Sequence, residues 1–128
     1  MMRRVVIDMQ ALFAAAIEDA LIKSDFGFET IKSERPDLTL SLCREAATEV
    51  LIMDVMTYSP RSMAERMRIR DELKNTVPDC KIVLMVDEKS EVKVADSVRL
   101  SKKDGLIDDF IYSCSASDAY IAAVIDAL

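Results

Sequence analysis

The sequence predicts an α/β fold in which one parallel sheet lies between two layers of helices. Two apolar segments, 50–53 and 81–86, have the composition of strands buried on both faces, and an aspartate follows each of them at once. Segments with helical periodicity separate these strands from three shorter strand-like segments. Regular alternation of strand and helix with short connections is typical of a parallel sheet covered on both sides.

Each element has its own local signal. Apolar runs or strict alternation mark the strands, and apolar residues at helical spacing mark the helices. Ser62 with Glu65, and Ser115 with Asp118, have the spacing of capping boxes, and Gly105 can end a helix. The predicted strands are 4–8, 27–31, 48–54, 81–86 and 107–112, and the predicted helices are 10–24, 38–46, 62–77, 90–103 and 115–128.

The strand compositions also predict the strand order. The continuously apolar strands belong in the middle of the sheet, and the alternating strand 27–31 belongs at an edge. The prediction is therefore a single doubly wound (βα)5 sandwich of flavodoxin-like order 2-1-3-4-5, spanning residues 1–128. Its switch point, between strands 1 and 3, brings Asp8 and Asp54 to one crevice with Asp87 beside them, a predicted acidic pocket.

Composition excludes several function classes. The 128 residues suit one domain, and the net charge of -6 argues against direct nucleic-acid binding. No apolar run has the length of a membrane span, and three cysteines without CxxC spacing favour a reducing cytoplasm. The absence of histidine excludes catalysis by histidine and metal clusters that use histidine ligands. Two glycines are too few for a glycine-rich dinucleotide-binding loop or a Walker loop. We therefore expect a cytoplasmic protein that is not an enzyme.

Four segments carry a resemblance to a known family: 5–8, 51–54, 83–86 and 108–112. They resemble the receiver domain of two-component response regulators, and the resemblance extends over almost the whole chain. It implies that Asp54 matches the aspartate that accepts a phosphoryl group from a histidine kinase. It also implies that Asp8 matches the first of two acids that hold Mg²⁺, and that Phe110 matches the aromatic switch residue.

Three positions depart from the family pattern. Met9 replaces the second Mg²⁺ ligand, Asp87 replaces the Ser or Thr after strand 4, and Ser113 replaces the lysine after strand 5. A phosphoryl group adds roughly two negative charges. Like charges about 4 Å apart repel by ~4 kcal/mol at an effective dielectric near 20. Every substitution therefore opposes phosphorylation, and Met9→Asp, Asp87→Thr and Ser113→Lys are predicted to restore it stepwise.

The predicted function is that of a degenerate receiver domain: a signalling module that binds proteins and is not switched by ordinary aspartyl phosphorylation. Its partner would be a kinase, an output domain or a second copy, with dimers formed through helix 90–103, strand 107–112 and the last helix. The domain would stand alone or begin a longer regulator. We expect no cofactor beyond Mg²⁺ held weakly by Asp8 and Asp54.

Two alternatives remain open. One is a phosphorylatable receiver in which Asp8, Asp54 and Asp87 share a divalent ion, since hard cations accept such oxygen ligands. The other is a small flavodoxin-like enzyme or cofactor-binding protein. This second alternative is disfavoured because the segment after strand 1, residues 8–11, is not a hydroxyl-rich phosphate loop.

Further residues receive simpler interpretations. Cys114 is interpreted as a small apolar residue beside the pocket. The aromatic side chains of Phe110 and Tyr112 are assigned to opposite sides of the sheet. Four arginines interleave with acids and are interpreted as a solvated helix face: Arg61, Arg66, Arg68 and Arg70.

Overall fold

The computed structural model describes residues 2–128 and contains one five-stranded sheet. Its strands are β1 (Arg3–Asp8), β2 (Phe28–Lys32), β3 (Val50–Asp54), β4 (Lys81–Val86) and β5 (Asp109–Tyr112). All neighbouring strands pair in parallel in the order β2-β1-β3-β4-β5, which confirms the predicted topology. Every residue of β3 is buried, as expected for a central strand with helices on both sides.

Five helices cover the two faces of the sheet. They are α1 (Ala11–Lys23), α2 (Thr39–Ala46), α3 (Met63–Thr76), α4 (Val92–Lys103) and α5 (Asp118–Asp126), and one 3₁₀ turn, Pro36–Leu38, precedes α2. The core on one face contains residues of α1 and α5, and the core on the other contains residues of α2, α3 and α4. None of the helices in residues 2–128 has the length and apolar character that a membrane span requires.

One predicted capping box is confirmed and the other is wrong. At the start of α3, the Glu65 amide donates to Ser62 Oγ, and the Ser62 amide donates to Glu65 Oε1. At α5 the cap is Ser117, whose Oγ accepts from the Tyr120 amide at 3.1 Å. Ser115 does not cap this helix, because its hydroxyl donates to Glu88 Oε2 instead. The helix therefore begins two residues later than the spacing of serine and aspartate predicts.

The helix after β4 also begins later than predicted, at Val92. Asp87 Oδ1 accepts hydrogen bonds from the amides of Lys89 and Ser90, at 3.0 and 3.1 Å. A short polar side chain that binds backbone amides two and three residues ahead favours a turn over a helix. This turn places the side chain of Asp87 at the carboxyl edge of the sheet.

Candidate functional site

Two buried aspartates end neighbouring central strands. Asp8 is the last residue of β1 and Asp54 is the last residue of β3, and Asp8 pairs with Met53 in the sheet. Their exposed fractions are 0% and 3%. Carboxylates so far from water require a cation or several hydrogen bonds.

Arg66 of α3 supplies that cation. Its exposed fraction is 0%, and its guanidinium lies between the two carboxylates. Nη1 donates to Asp8 Oδ2 at 2.8 Å, while Nη2 donates to Asp54 Oδ1 at 2.8 Å and to Asp8 Oδ1 at 3.3 Å. The same side chain donates to the main-chain carbonyls of Asp54 (from Nε, 2.7 Å) and Asp8 (from Nη2, 3.1 Å). One guanidinium therefore joins the ends of β1 and β3.

The buried position of Arg66 shows that the interpretation of the four arginines as a solvated helix face is wrong. Arg68 is exposed, but Arg66 is buried completely and Arg61 is 8% exposed. Arg61 Nε lies 3.5 Å from Asp54 Oδ1 and forms no hydrogen bond with any residue in 2–128. Two buried arginines therefore face two buried aspartates, and the formal charges of the group cancel.

A signal for Arg66 is present in the sequence. Leu73 lies on the inner face of α3 and is fully buried, and Arg66 precedes it by seven residues, which is two helical turns. Ile69, three residues after Arg66, packs against the same core. The helical spacing that identifies the apolar face of α3 therefore also places Arg66 on it. A charged residue in such a stripe requires a buried partner of opposite sign.

Two hydroxyl groups complete the surroundings of Asp8. Thr39 Oγ1, at the start of α2, donates to Asp8 Oδ2 at 2.6 Å and is buried. Ser33 Oγ lies 2.8 Å from Thr39 Oγ1. Both oxygens of Asp8 therefore accept hydrogen bonds from the protein, two at Oδ2 and one at Oδ1. Asp54 is similarly engaged, because its Oδ2 accepts from the amide of Gln10 at 3.1 Å.

The structure places Asp87 apart from the pair formed by Asp8 and Asp54. Asp87 and Asp54 line one cavity, whereas Asp8 lies behind the cavity wall. Cys114 Sγ donates to Asp87 Oδ1 at 3.0 Å, and this contact and the Ser90 amide hold the pKa of Asp87 well below its usual range. The same hydrogen bond raises the pKa of the Cys114 thiol. Cys114 is exposed, so its interpretation as an apolar packing residue is wrong.

The remaining positions of the family pattern are distributed around this cavity. Met9 is 4% exposed and belongs to the core between the sheet, α1 and α5. Ser113 follows β5 and lines the cavity. Phe110 and Tyr112 lie on the same side of the sheet, with ring centroids 5.2 Å apart, so the assignment to opposite sides is wrong. Residues two apart in a strand point to the same face.

The arrangement does not fit Mg²⁺ between Asp8 and Asp54. Every carboxylate oxygen in this pair accepts at least one hydrogen bond, and the guanidinium of Arg66 lies where the oxygens converge. A divalent cation would meet a buried positive charge there, and Met9 offers a thioether where a hard oxygen ligand is needed. The site therefore carries its cation within the chain.

No protein-family model and no curated protein sequence matches the chain. Solved structures do match, over nearly its whole length. They include the REC domain of AraT, a response regulator from Geobacillus stearothermophilus, with 18% identity, a TM-score of 0.69, and coverage of 98% of this chain and 91% of that chain. The chain has the receiver-domain fold.

Two further receiver-type structures agree. A response regulator from Thermotoga maritima has 15% identity and a TM-score of 0.73, covering 99% of this chain and 97% of its own. A CheY-like receiver domain protein from Methanospirillum hungatei has 11% identity and a TM-score of 0.75, covering 99% and 93%. At these identities the likeness shows the receiver fold alone, and the chemistry must be argued from the side chains.

Proposed function

We propose that this chain is a degenerate receiver domain: a non-enzymatic module of two-component-type signalling that binds proteins and is not switched by ordinary phosphorylation of Asp54. The receiver fold supports the signalling role. One observation supports the loss of phosphorylation, namely the buried guanidinium of Arg66 between Asp8 and Asp54. That cation satisfies both carboxylates without any ligand from outside.

Three features of the site act against phosphoryl transfer to Asp54. Its side chain is 5% exposed, and both of its oxygens accept hydrogen bonds, from Arg66 and from the amide of Gln10. Each of these hydrogen bonds withdraws electron density from the oxygen that accepts it and so weakens it as a nucleophile. Asp87 carries a negative charge on the rim of the cavity, and Ser113 provides no positive charge there. A phosphoryl group would therefore arrive next to an anion with no mobile cation to neutralise it.

The decisive experiment is a phosphorylation assay on the purified protein. The protein is incubated with acetyl phosphate and Mg²⁺, and its intact mass is compared with that of Asp54→Ala. We expect no phosphoryl increment in the wild type. An increment that is lost in Asp54→Ala would overturn the proposal and favour the phosphorylatable alternative.

A second set of variants separates the effect of Arg66 from the effects of the three positions that depart from the family pattern. Met9→Asp, Asp87→Thr and Ser113→Lys together reintroduce the family pattern around Asp54. Because Arg66 still binds the carboxylates, we now expect this triple variant to stay unmodified, and modification to appear only when Arg66→Met is added. Arg68→Met, on the exposed side of α3, is the matched control. Modification of the triple variant alone would show that Arg66 is not the obstacle.

The proposed partner surface comprises α4, β5 and α5. Exposed apolar side chains on and next to it include Val92, Leu100 and Tyr120. Arg99 donates to the Tyr112 hydroxyl at 3.2 Å, so a cation lies over this surface. Such exposed apolar residues beside charges are typical of a protein contact.

Charge reversal tests the partner surface. Lys93→Glu with Arg99→Glu should change self-association, measured by sedimentation, or the binding of a partner. Arg44→Glu on α2, also an exposed arginine, is the control and should change neither. The assignment fails if the α2 variant has the larger effect.

A further inference from the structure

The carboxyl edge of the sheet contains a cavity of about 620 Å³, within the range of small-molecule sites. Six buried apolar side chains form part of its wall: Met9, Ile17, Val55, Met85, Val86 and Ile121. Phe13 and Tyr58 also line it and are about half exposed. The cavity therefore combines an apolar interior with aromatic edges, which is the composition of a pocket for an organic molecule.

The charges around the cavity all have one sign. Its lining includes four carboxylates, from Asp54, Asp87, Glu91 and Asp118, and within residues 2–128 it includes no lysine or arginine. Arg66 cancels the charge of Asp54 from behind the wall. Neither Glu91 nor Asp118 forms an ion pair with another described residue, so the rim remains acidic.

From this combination we infer that the cavity binds an organic cation, an ammonium group attached to an apolar body. The apolar part would contact the buried wall, and the ammonium group would lie near Asp87 and Glu91. Phe13 and Tyr58 line the same cavity, and cations are attracted to the faces of aromatic rings. A phosphate or carboxylate ligand would meet only negative charge in this lining. The inference does not depend on whether Asp54 accepts a phosphoryl group.

A charge series of related small molecules tests the inference directly. The probes are phenethylammonium, 2-phenylethanol and phenylacetate, which share a phenyl group and differ in charge. Binding is followed by protein-observed NMR titration, with the shifted resonances assigned. We expect the cation to bind about tenfold more tightly than the alcohol, the anion not to bind, and added salt to weaken only the cation.

Two kinds of variant locate the site. Asp87→Asn with Glu91→Gln should weaken phenethylammonium about three- to tenfold and leave 2-phenylethanol unchanged. Glu45→Gln, an exposed acid on α2 outside the cavity, should change neither. Ala116→Leu, which adds volume inside the cavity, should weaken both probes.

Three results would overturn the inference. They are equal binding of cation and anion, an unchanged cation affinity in Asp87→Asn with Glu91→Gln, and shifts confined to residues away from the cavity. Intact folding of each variant is checked from its amide spectrum before the titration. The phosphorylation assay and this titration measure different quantities, so the proposed function and this inference can fail separately.

Discussion

Replacement of Arg66 by methionine tests the built-in cation most directly, because methionine has a similar length and no charge. Two buried ion pairs, each with atoms 2.8 Å apart, lose their shared partner. Breaking one buried pair costs about 3–5 kcal/mol, because a charge remains buried without compensation. The two losses share one guanidinium and do not add, so we expect Arg66→Met to lower the free energy of unfolding by about 4–6 kcal/mol.

Urea denaturation followed by circular dichroism measures this change. With an m-value of about 1–3 kcal/mol/M, the midpoint should fall by roughly 1.3–6 M. Arg68→Met, an exposed arginine of the same helix, should change stability by about 0.5 kcal/mol or less. Adding Asp8→Asn to Arg66→Met removes the uncompensated charge, leaves Asp54 beside Arg61, and should recover much of the loss.

Binding of Mg²⁺ provides an independent test of whether Arg66 serves as the cation between Asp8 and Asp54. In Arg66→Met the two carboxylates lose the cation between them and only Arg61 remains beside Asp54, so Mg²⁺ should stabilise this variant by about 1.4 kcal/mol at ten times its dissociation constant. The wild type should show no such gain, because Arg66 already holds both carboxylates. Equal stability of the Arg66 and Arg68 variants, or an equal Mg²⁺ effect in the wild type, would refute the reasoning.

Four smaller predictions follow from individual contacts. Folding lowers the pKa of Asp87, so its carboxylate stabilises the folded protein above the unfolded pKa, and this contribution is lost as pH falls. The difference in stability between wild type and Asp87→Asn, measured by urea unfolding at a series of pH values, should therefore shrink below about pH 4. Burial raises the pKa of Cys43 to about 11 and the pKa of Cys80 to about 12. Iodoacetamide at pH 8 should therefore label only the exposed Cys114 in the native protein, as measured by peptide mass. Labelling of all three cysteines without urea would contradict this prediction. Because the hydrogen bond to Asp87 raises the pKa of Cys114, Asp87→Asn should accelerate that labelling. Ser62→Ala should lower the free energy of unfolding by about 1 kcal/mol in urea titrations; an unchanged midpoint would mean that the α3 cap contributes nothing.

The topology was predictable from the sequence because it follows from repeating local patterns. Continuous apolar runs at 50–53 and 81–86 require burial on both faces, and strand-helix alternation requires parallel strands. The boundaries were less predictable where side chains compete with helix geometry. Asp87 forms a turn that delays α4, and Ser115 donates to Glu88 and so leaves the cap of α5 to Ser117.

Strand order likewise predicts that Asp8 and Asp54 lie at one edge of the sheet, where Asp8 pairs with Met53. The sequence also predicted Asp87 at this edge, and Asp87 lines one cavity with Asp54, but its hydrogen bond with Cys114 was not predicted. The direction of a loop side chain depends on which hydrogen-bond partners the neighbouring loop presents. Asp87 accepts from the local amides of Lys89 and Ser90, and its third partner, Cys114, lies after β5, 27 residues further along the chain.

The receiver fold and the positions of the two aspartates can be predicted from the sequence, whereas the groups that neutralise these aspartates are seen only in the folded chain. Arg66 lies in a run of charges that reads as a solvated helix face, and its helical spacing from Leu73 is a weak local signal. Its partners are 58 and 12 residues away, and they become partners only when α3 packs against the ends of β1 and β3. A buried charge is decided by the groups that surround it, and those groups come together only in the folded chain.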